Sequence, residues 1–164
     1  MKRLAFIGEC MIELRDAGGG AMHRAFGGDT LNSVVYAARC LNGMDATVEY
    51  VTILGDDLFS SEMLAAWREE GIATEFVTRQ PGALPGLYAI RTDSSGERSC
   101  HYWRSESPAR ALLADAGAFR CLSGVQLGVF QRHYPRHHAR GAVRHGGLCV
   151  PLPGASVRVP HQPH

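Results

Sequence analysis

Three short β-prone runs alternate with two stretches of helical period in the first 80 residues, and this alternation limits the fold more than any other feature. "RLAFIG" (residues 3–8) is an apolar run ending in glycine, as a buried strand would be. Asp29 or Thr30 is placed to cap a helix in which Leu31, Val34, Val35, Ala38 and Leu41 recur at helical spacing, with Gly43 where it would end. "VEYVTILG" (residues 48–55) is β-branched and aromatic, and reads as a second strand. "DDLFSSEMLAAWREEGI" then reads as a helix with Met63, Leu64 and Trp67 on one face and Gly71 at its end. "TEFVT" (residues 74–78) closes the series as a third strand. Strand, helix, strand, helix, strand predicts an α/β fold, a parallel sheet flanked by helices.

Residues 84–104, "LPGLYAIRTDSSGERSCHYWR", break the rhythm. Two β-prone runs flank "DSSG", a hairpin signal. With a loop at residues 93–97, Thr92 faces Arg98, Ile90 faces Cys100, Tyr88 faces Tyr102, and Gly86 lies opposite Arg104. Side chains alternate faces with period two, so Tyr88, Ile90, Cys100, Tyr102 and Arg104 share one face. Such a face either packs on the core or closes over a ligand.

Composition separates the chain into two parts. Residues 1–119 hold all 16 acids and 11 of the 17 Lys and Arg, a net charge of −5; residues 120–164 hold six Arg, no acid, six of the 8 His and five of the 8 Pro. The overall net charge of +1 gives no general pull toward nucleic acid or membrane. Five scattered cysteines without a CxxC argue against a disulfide framework or a structural zinc site. Glu9 and Glu13 interrupt the apolar run after the basic start, which makes a poor signal peptide, and no stretch approaches 18 apolar residues. A reduced, cytoplasmic protein is the expectation.

"FGGDTLN" (residues 26–32) sets two glycines before the first helix. Such a turn lets backbone N–H groups approach a ligand, and a helix N-terminus favours oxygen-rich groups. Asp29 accepts hydrogen bonds and Asn32 both donates and accepts, which suits sugar hydroxyls, although glycines before a helix often form only a turn. Neither GxxxxGK[ST] nor GxGxxG occurs in the chain.

Together, "GECMIEL", "FGGDTLN", "VTILGDD", "LPGLYAI" and "GERSCHYWR" resemble, in order and spacing over about residues 3–130, the ribokinase-like (PfkB) carbohydrate kinases. The resemblance implies a Rossmann-like domain with a β-hairpin lid over the sugar, and transfer of the γ-phosphoryl group of ATP to a sugar hydroxyl with Mg²⁺. It implies that Gly27, Gly28, Asp29 and Asn32 hold the sugar, that Tyr88 contacts it from the lid, and that Arg104 pairs with a sugar-acid carboxylate. Glu13 stands where many relatives place a sugar-binding Asp. A guanidinium suits a carboxylate, so a sugar acid such as 2-keto-3-deoxygluconate is expected over a neutral, fructose-like sugar. A small-molecule partner is implied, with no nucleic acid or membrane, and family members often self-associate.

The family's GxGD motif and nucleotide pocket lie in a second half that is not found here: no GxGD occurs, and no acid follows Asp115. No catalytic or metal residue is therefore assigned, and without the base and the ATP site the chain alone is expected to be inactive, a sugar-binding fragment. The run "VFQRHYPRHHARGAVRHGG" (residues 129–147) carries four Arg and four His. His133, His137 and His138 are a poor metal site, since Pro135 interrupts any helix and no Cys or carboxylate stands near in sequence. Six Arg in the last 45 residues are too sparse for a convincing nucleic-acid arm. A disordered tail would suit the composition, but loss of the reading frame near residues 120–130 explains the charge jump, the lost periodicity and the missing half together. The expected organisation is residues 1–130 as the N-terminal part of the kinase domain and residues 131–164 as an aberrant basic tail. A sheet so interrupted leaves an edge and helix faces uncovered, and marginal stability is expected.

Overall fold

The computed structural model describes residues 2–112, 125, 127–131 and 147–148. The first strand, β1 (Lys2–Ile7), lies parallel to β4 (Ala46–Gly55), and β4 lies parallel to β5 (Val77–Gln80). On its other side β1 pairs in parallel with β8 (Leu127–Gln131), which pairs antiparallel with the two-residue β9 (Gly147–Leu148). The order is β5-β4-β1-β8-β9. The expected parallel sheet is present, with an antiparallel edge added. Because β1 has neighbours reached in opposite directions, its carboxyl end opens onto the crevice where α/β sheets bind ligands.

Helices α1 (Asp29–Leu41) and α2 (Leu58–Glu69) cover one face of this sheet. Alternation along the strands decides what each face buries. Phe6, Val48, Tyr50 and Leu54 pack with Leu31, Val34 and Ala38 of α1 and with Met63, Leu64 and Trp67 of α2. Ala5, Ile7 and Val51 turn to the opposite face, where Leu112 and Val125 meet them. The Tyr50 and Trp67 rings meet edge to face, 4.8 Å between centroids at 73°. Arg3 holds the buried Glu49 through Nε at 2.7 Å and Nη2 at 3.0 Å, tying β1 to β4.

Asp57 caps α2, accepting from Phe59 N at 2.9 Å and Ser60 N at 3.2 Å, while Ser60 Oγ donates to its other oxygen at 2.5 Å. Replacing Asp57 with Ala is expected to cost about 1–2 kcal/mol, read as a lower urea midpoint at unchanged slope. For α1 the cap expected at Asp29 or Thr30 is replaced by Gly28, with φ 150 and no side-chain cap. Thr30 is buried against Gly8 instead, where a Cβ at residue 8 would collide with it. The third strand begins at Val77, three residues later than expected, because a turn closed by Val77 N to Thr74 O (3.1 Å) breaks the run.

A second sheet, of four strands, rises from the end of β1. It contains the expected lid hairpin, β6 (Gly86–Thr92) with β7 (Arg98–Trp103), in the expected register. Joined to it is a hairpin the sequence reading did not find, β2 (Met11–Gly18) with β3 (Ala21–Gly27). β2 runs parallel to β6, so the lid has four strands. Strand β8 begins at Leu127, and residues 121–124 and 126 lie outside the described residues. So do His133, His137, His138 and nearly all of the basic tail.

Candidate sugar-binding site

Register across the lid sheet lines up residues far apart in sequence. One row is Gly27, Met11 and Gly86; the next is Ala25, Glu13, Tyr88 and Tyr102. In the second row Tyr88 Oη donates to Glu13 Oε2, and Arg15 Nε meets Glu13 Oε1 at 2.7 Å. Tyr102 stacks on Tyr88, 5.6 Å between centroids at 25°. Burial, followed by the Glu13 hydrogen bond, pushes the Tyr88 hydroxyl well above the usual tyrosine range, so it stays a neutral donor at any physiological pH.

The glycines before α1 are required by close approach. A Cβ at Gly27 would collide with Tyr88 Oη and stand 2.9 Å from Glu13 Oε2. At Gly28, φ is 150, a conformation side chains rarely adopt, and a Cβ would lie 2.7 Å from the Glu9 carbonyl oxygen. Asp29 and Asn32 are exposed on the first turn of α1, three residues apart and so on one side of it.

Arg104 stands just beyond β7, opposite Gly86 as expected; a Cβ at Gly86 would be 3.1 Å from Arg104 Cβ. Its guanidinium Nη2 donates to Glu9 Oε2. Glu9 follows β1 at the crevice and is 1% exposed. The structure thus gathers Gly27, Tyr88 and Glu13 into one contact group and joins Gly28 and Arg104 through Glu9. Sequence reasoning missed Glu9 as a site residue; a carboxylate directly after a buried strand was the available signal. Tyr102 was placed on the shared face but not in the site. Cys10, buried beside Glu9, has its thiol pushed far up by burial and then by Glu9's charge, which leaves it unreactive.

The opposite face of the lid differs in kind. A cleft of about 360 Å³ there is lined by the apolar Leu84, Pro85, Leu87, Trp103 and Phe59, with Ser105, Glu106 and Ser107 beside them. Among the described residues, no helix is long and apolar enough to cross a membrane.

Similarity to known proteins agrees with this geometry. The 2-dehydro-3-deoxygluconokinase of Dickeya dadantii is 44% identical, over 80% of this chain and 46% of that protein. Its namesake from Escherichia coli K12 is 46% identical, over 78% of this chain and 45% of that protein. The chain therefore spans less than half the length of these curated relatives. The crystal structure of a fructokinase with bound ATP from Xylella fastidiosa superposes with a TM-score of 0.64 at 25% identity, over 77% of this chain and 38% of that one. A 2-dehydro-3-deoxygluconokinase structure from Thermotoga maritima gives 0.65 at 20% identity, over 78% and 40%, which bears on the fold alone. With the pfkB family carbohydrate kinase model matching residues 1–135, and a lid sheet and glycine turn placed as in a ribokinase-like fold, the chain belongs to the pfkB family of carbohydrate kinases.

Proposed function

We propose that this chain carries the sugar-binding half of a sugar-acid kinase, with 2-keto-3-deoxygluconate as the sugar. The observation that carries the reading is Arg104, held at the root of the lid on the face shared by Tyr88 and Glu13. A guanidinium there pairs with the substrate carboxylate. Tyr88, a neutral hydroxyl, and Glu13 take sugar hydroxyls, and the Gly27–Gly28 turn brings backbone N–H groups within reach. Asp29 and Asn32 extend this polar surface along the first turn of α1. Curated relatives that bear the 2-dehydro-3-deoxygluconokinase name support the choice of an acidic sugar.

ATP with Mg²⁺ would supply the phosphoryl group, and the residues described here do not fit it. Two of the site's carboxylates, Glu9 and Glu13, are already paired with arginines, and no GxGD occurs in the chain. We therefore assign this chain binding and orientation of the sugar and no transfer step. The family match ends at residue 135, five residues into the stretch 131–164 that we read as a tail foreign to the kinase, produced by loss of frame. A fructokinase-like neutral substrate is the second reading, favoured by the Xylella fastidiosa structure. Calorimetry decides between them: 2-keto-3-deoxygluconate binds more tightly than its neutral counterpart 3-deoxyfructose, and Arg104→Ala lowers the acid's affinity by about 10- to 100-fold while sparing the neutral sugar. Equal affinity for both sugars, unchanged in Arg104→Ala, would favour the fructokinase-like reading.

A further inference from the structure

We propose that Glu9 is a specificity-determining positioning residue: it fixes the Arg104 guanidinium in the orientation that selects an acidic over a neutral sugar. The proposal rests on the sugar-acid reading above and names a residue that reading does not use.

Three observations place Glu9 in this role. Its side chain is fully buried, whereas that of Arg104 is 26% exposed, so the carboxylate lies on the core side of the pair. The pair also crosses from one sheet to the other: Glu9 follows β1 of the core, and Arg104 follows β7 of the lid, 95 residues away. Finally, Gly86 is shaped around the pair, since a Cβ there would stand 2.7 Å from Glu9 Oε1 and 3.1 Å from both Arg104 Cβ and Met11 Cγ.

Arginine is a long side chain whose end would otherwise sample many rotamers, and binding must then order it. An anchor with no freedom of its own removes that cost. A guanidinium has five N–H donors in a planar fork, so one carboxylate can hold it while a second is received. Glu9 also opposes an anionic ligand by its charge. Because it is buried behind the guanidinium and paired with it, orientation is the larger effect here.

The experiment is calorimetry of the full chain with 2-keto-3-deoxygluconate and, separately, 3-deoxyfructose, for the wild type and for Glu9→Gln, Glu9→Asp and Gly86→Ala. Glu9→Gln keeps the shape and removes the charge; it is expected to lower the acid-to-neutral affinity ratio about tenfold, as loss of a charge-assisted hydrogen bond does. Glu9→Asp restores part of that ratio. Gly86→Ala, which keeps both charges but crowds them, also lowers it. A purely structural role would weaken both sugars together and leave the ratio unchanged, which overturns the proposal. An unchanged or higher ratio in Glu9→Gln overturns it too, the latter by showing that repulsion wins. A wild type that shows no acid preference removes the sugar-acid reading itself, and the proposal with it.

Discussion

Mixed with 2-keto-3-deoxygluconate, ATP and Mg²⁺, the 164-residue chain is expected to release no ADP above background. Fused after Gln131 to the remaining half of a curated relative, it is expected to turn over. Phosphoryl transfer depends on holding the γ-phosphate in line and neutralising the charge that spreads over its oxygens. Backbone amides, cations and a base do this, and catalysts of this kind accelerate their reactions by about a millionfold or more. The candidate site offers an arginine engaged with Glu9, the carboxylates of Glu9, Glu13 and Asp29, and a neutral tyrosine. Such a group suits orientation of a sugar, and we propose that it draws no phosphoryl group onto it. A coupled assay of ADP release measures both proteins, with Arg104→Ala in the fusion as the control that ties turnover to this site. ADP release by the chain alone, lost in its own Arg104→Ala variant, would show that the present half holds enough machinery for transfer. A folded fusion that binds sugar but never turns over would count against the kinase reading.

The lid hairpin could be read from sequence because its turn fixes its register. Asp93 accepts from Ser95 N at 2.8 Å and Glu97 N at 3.0 Å, and Gly96 takes φ 86, so "DSSGE" permits one pairing and Tyr88, Tyr102 and Arg104 fall on one face. The helices were equally legible, since their apolar stripes face a single core. The β2–β3 hairpin was not. Residues 21–24 of β3 are exposed and show no apolar alternation, so the two-residue Gly19–Gly20 turn, a hairpin signal with φ 61 and 84, stands without two β-prone runs to flank it. Without that hairpin the lid looks two-stranded, and Glu13 has no visible neighbour. Glu9 was hidden for a different reason. Its partner is 95 residues away, and only the meeting of two sheets brings the two together. Local pattern carries the elements and the lid face; the contacts that hold the site's charges are long-range and come from tertiary structure.

Trp67→Ala is expected to unfold the chain or to leave it near the midpoint of unfolding at room temperature. Trp67 is 2% exposed and fills the space between α2 and β4, with its ring edge to face against Tyr50. Its carbonyl also accepts Ile72 N at 3.0 Å, where the chain turns out of α2 toward β5. Truncating a buried tryptophan removes its apolar contacts and leaves a cavity, at about 3–5 kcal/mol. Whole native domains hold only about 5–15 kcal/mol, and a chain that spans less than half of its relatives' length is expected to stand toward the low end of that range. A loss of this size consumes most or all of the margin. Leu58→Ala on the same helix is the comparison, because Leu58 is 69% exposed and its truncation should change stability by about 0.5 kcal/mol or less. Thermal melts followed by far-ultraviolet circular dichroism read both variants against the wild type. The wild type itself is expected to melt below about 50 °C, the low side of the range for small domains. A sharp wild-type transition well above that temperature, with Trp67→Ala still folded, would mean that the described residues form a self-sufficient domain.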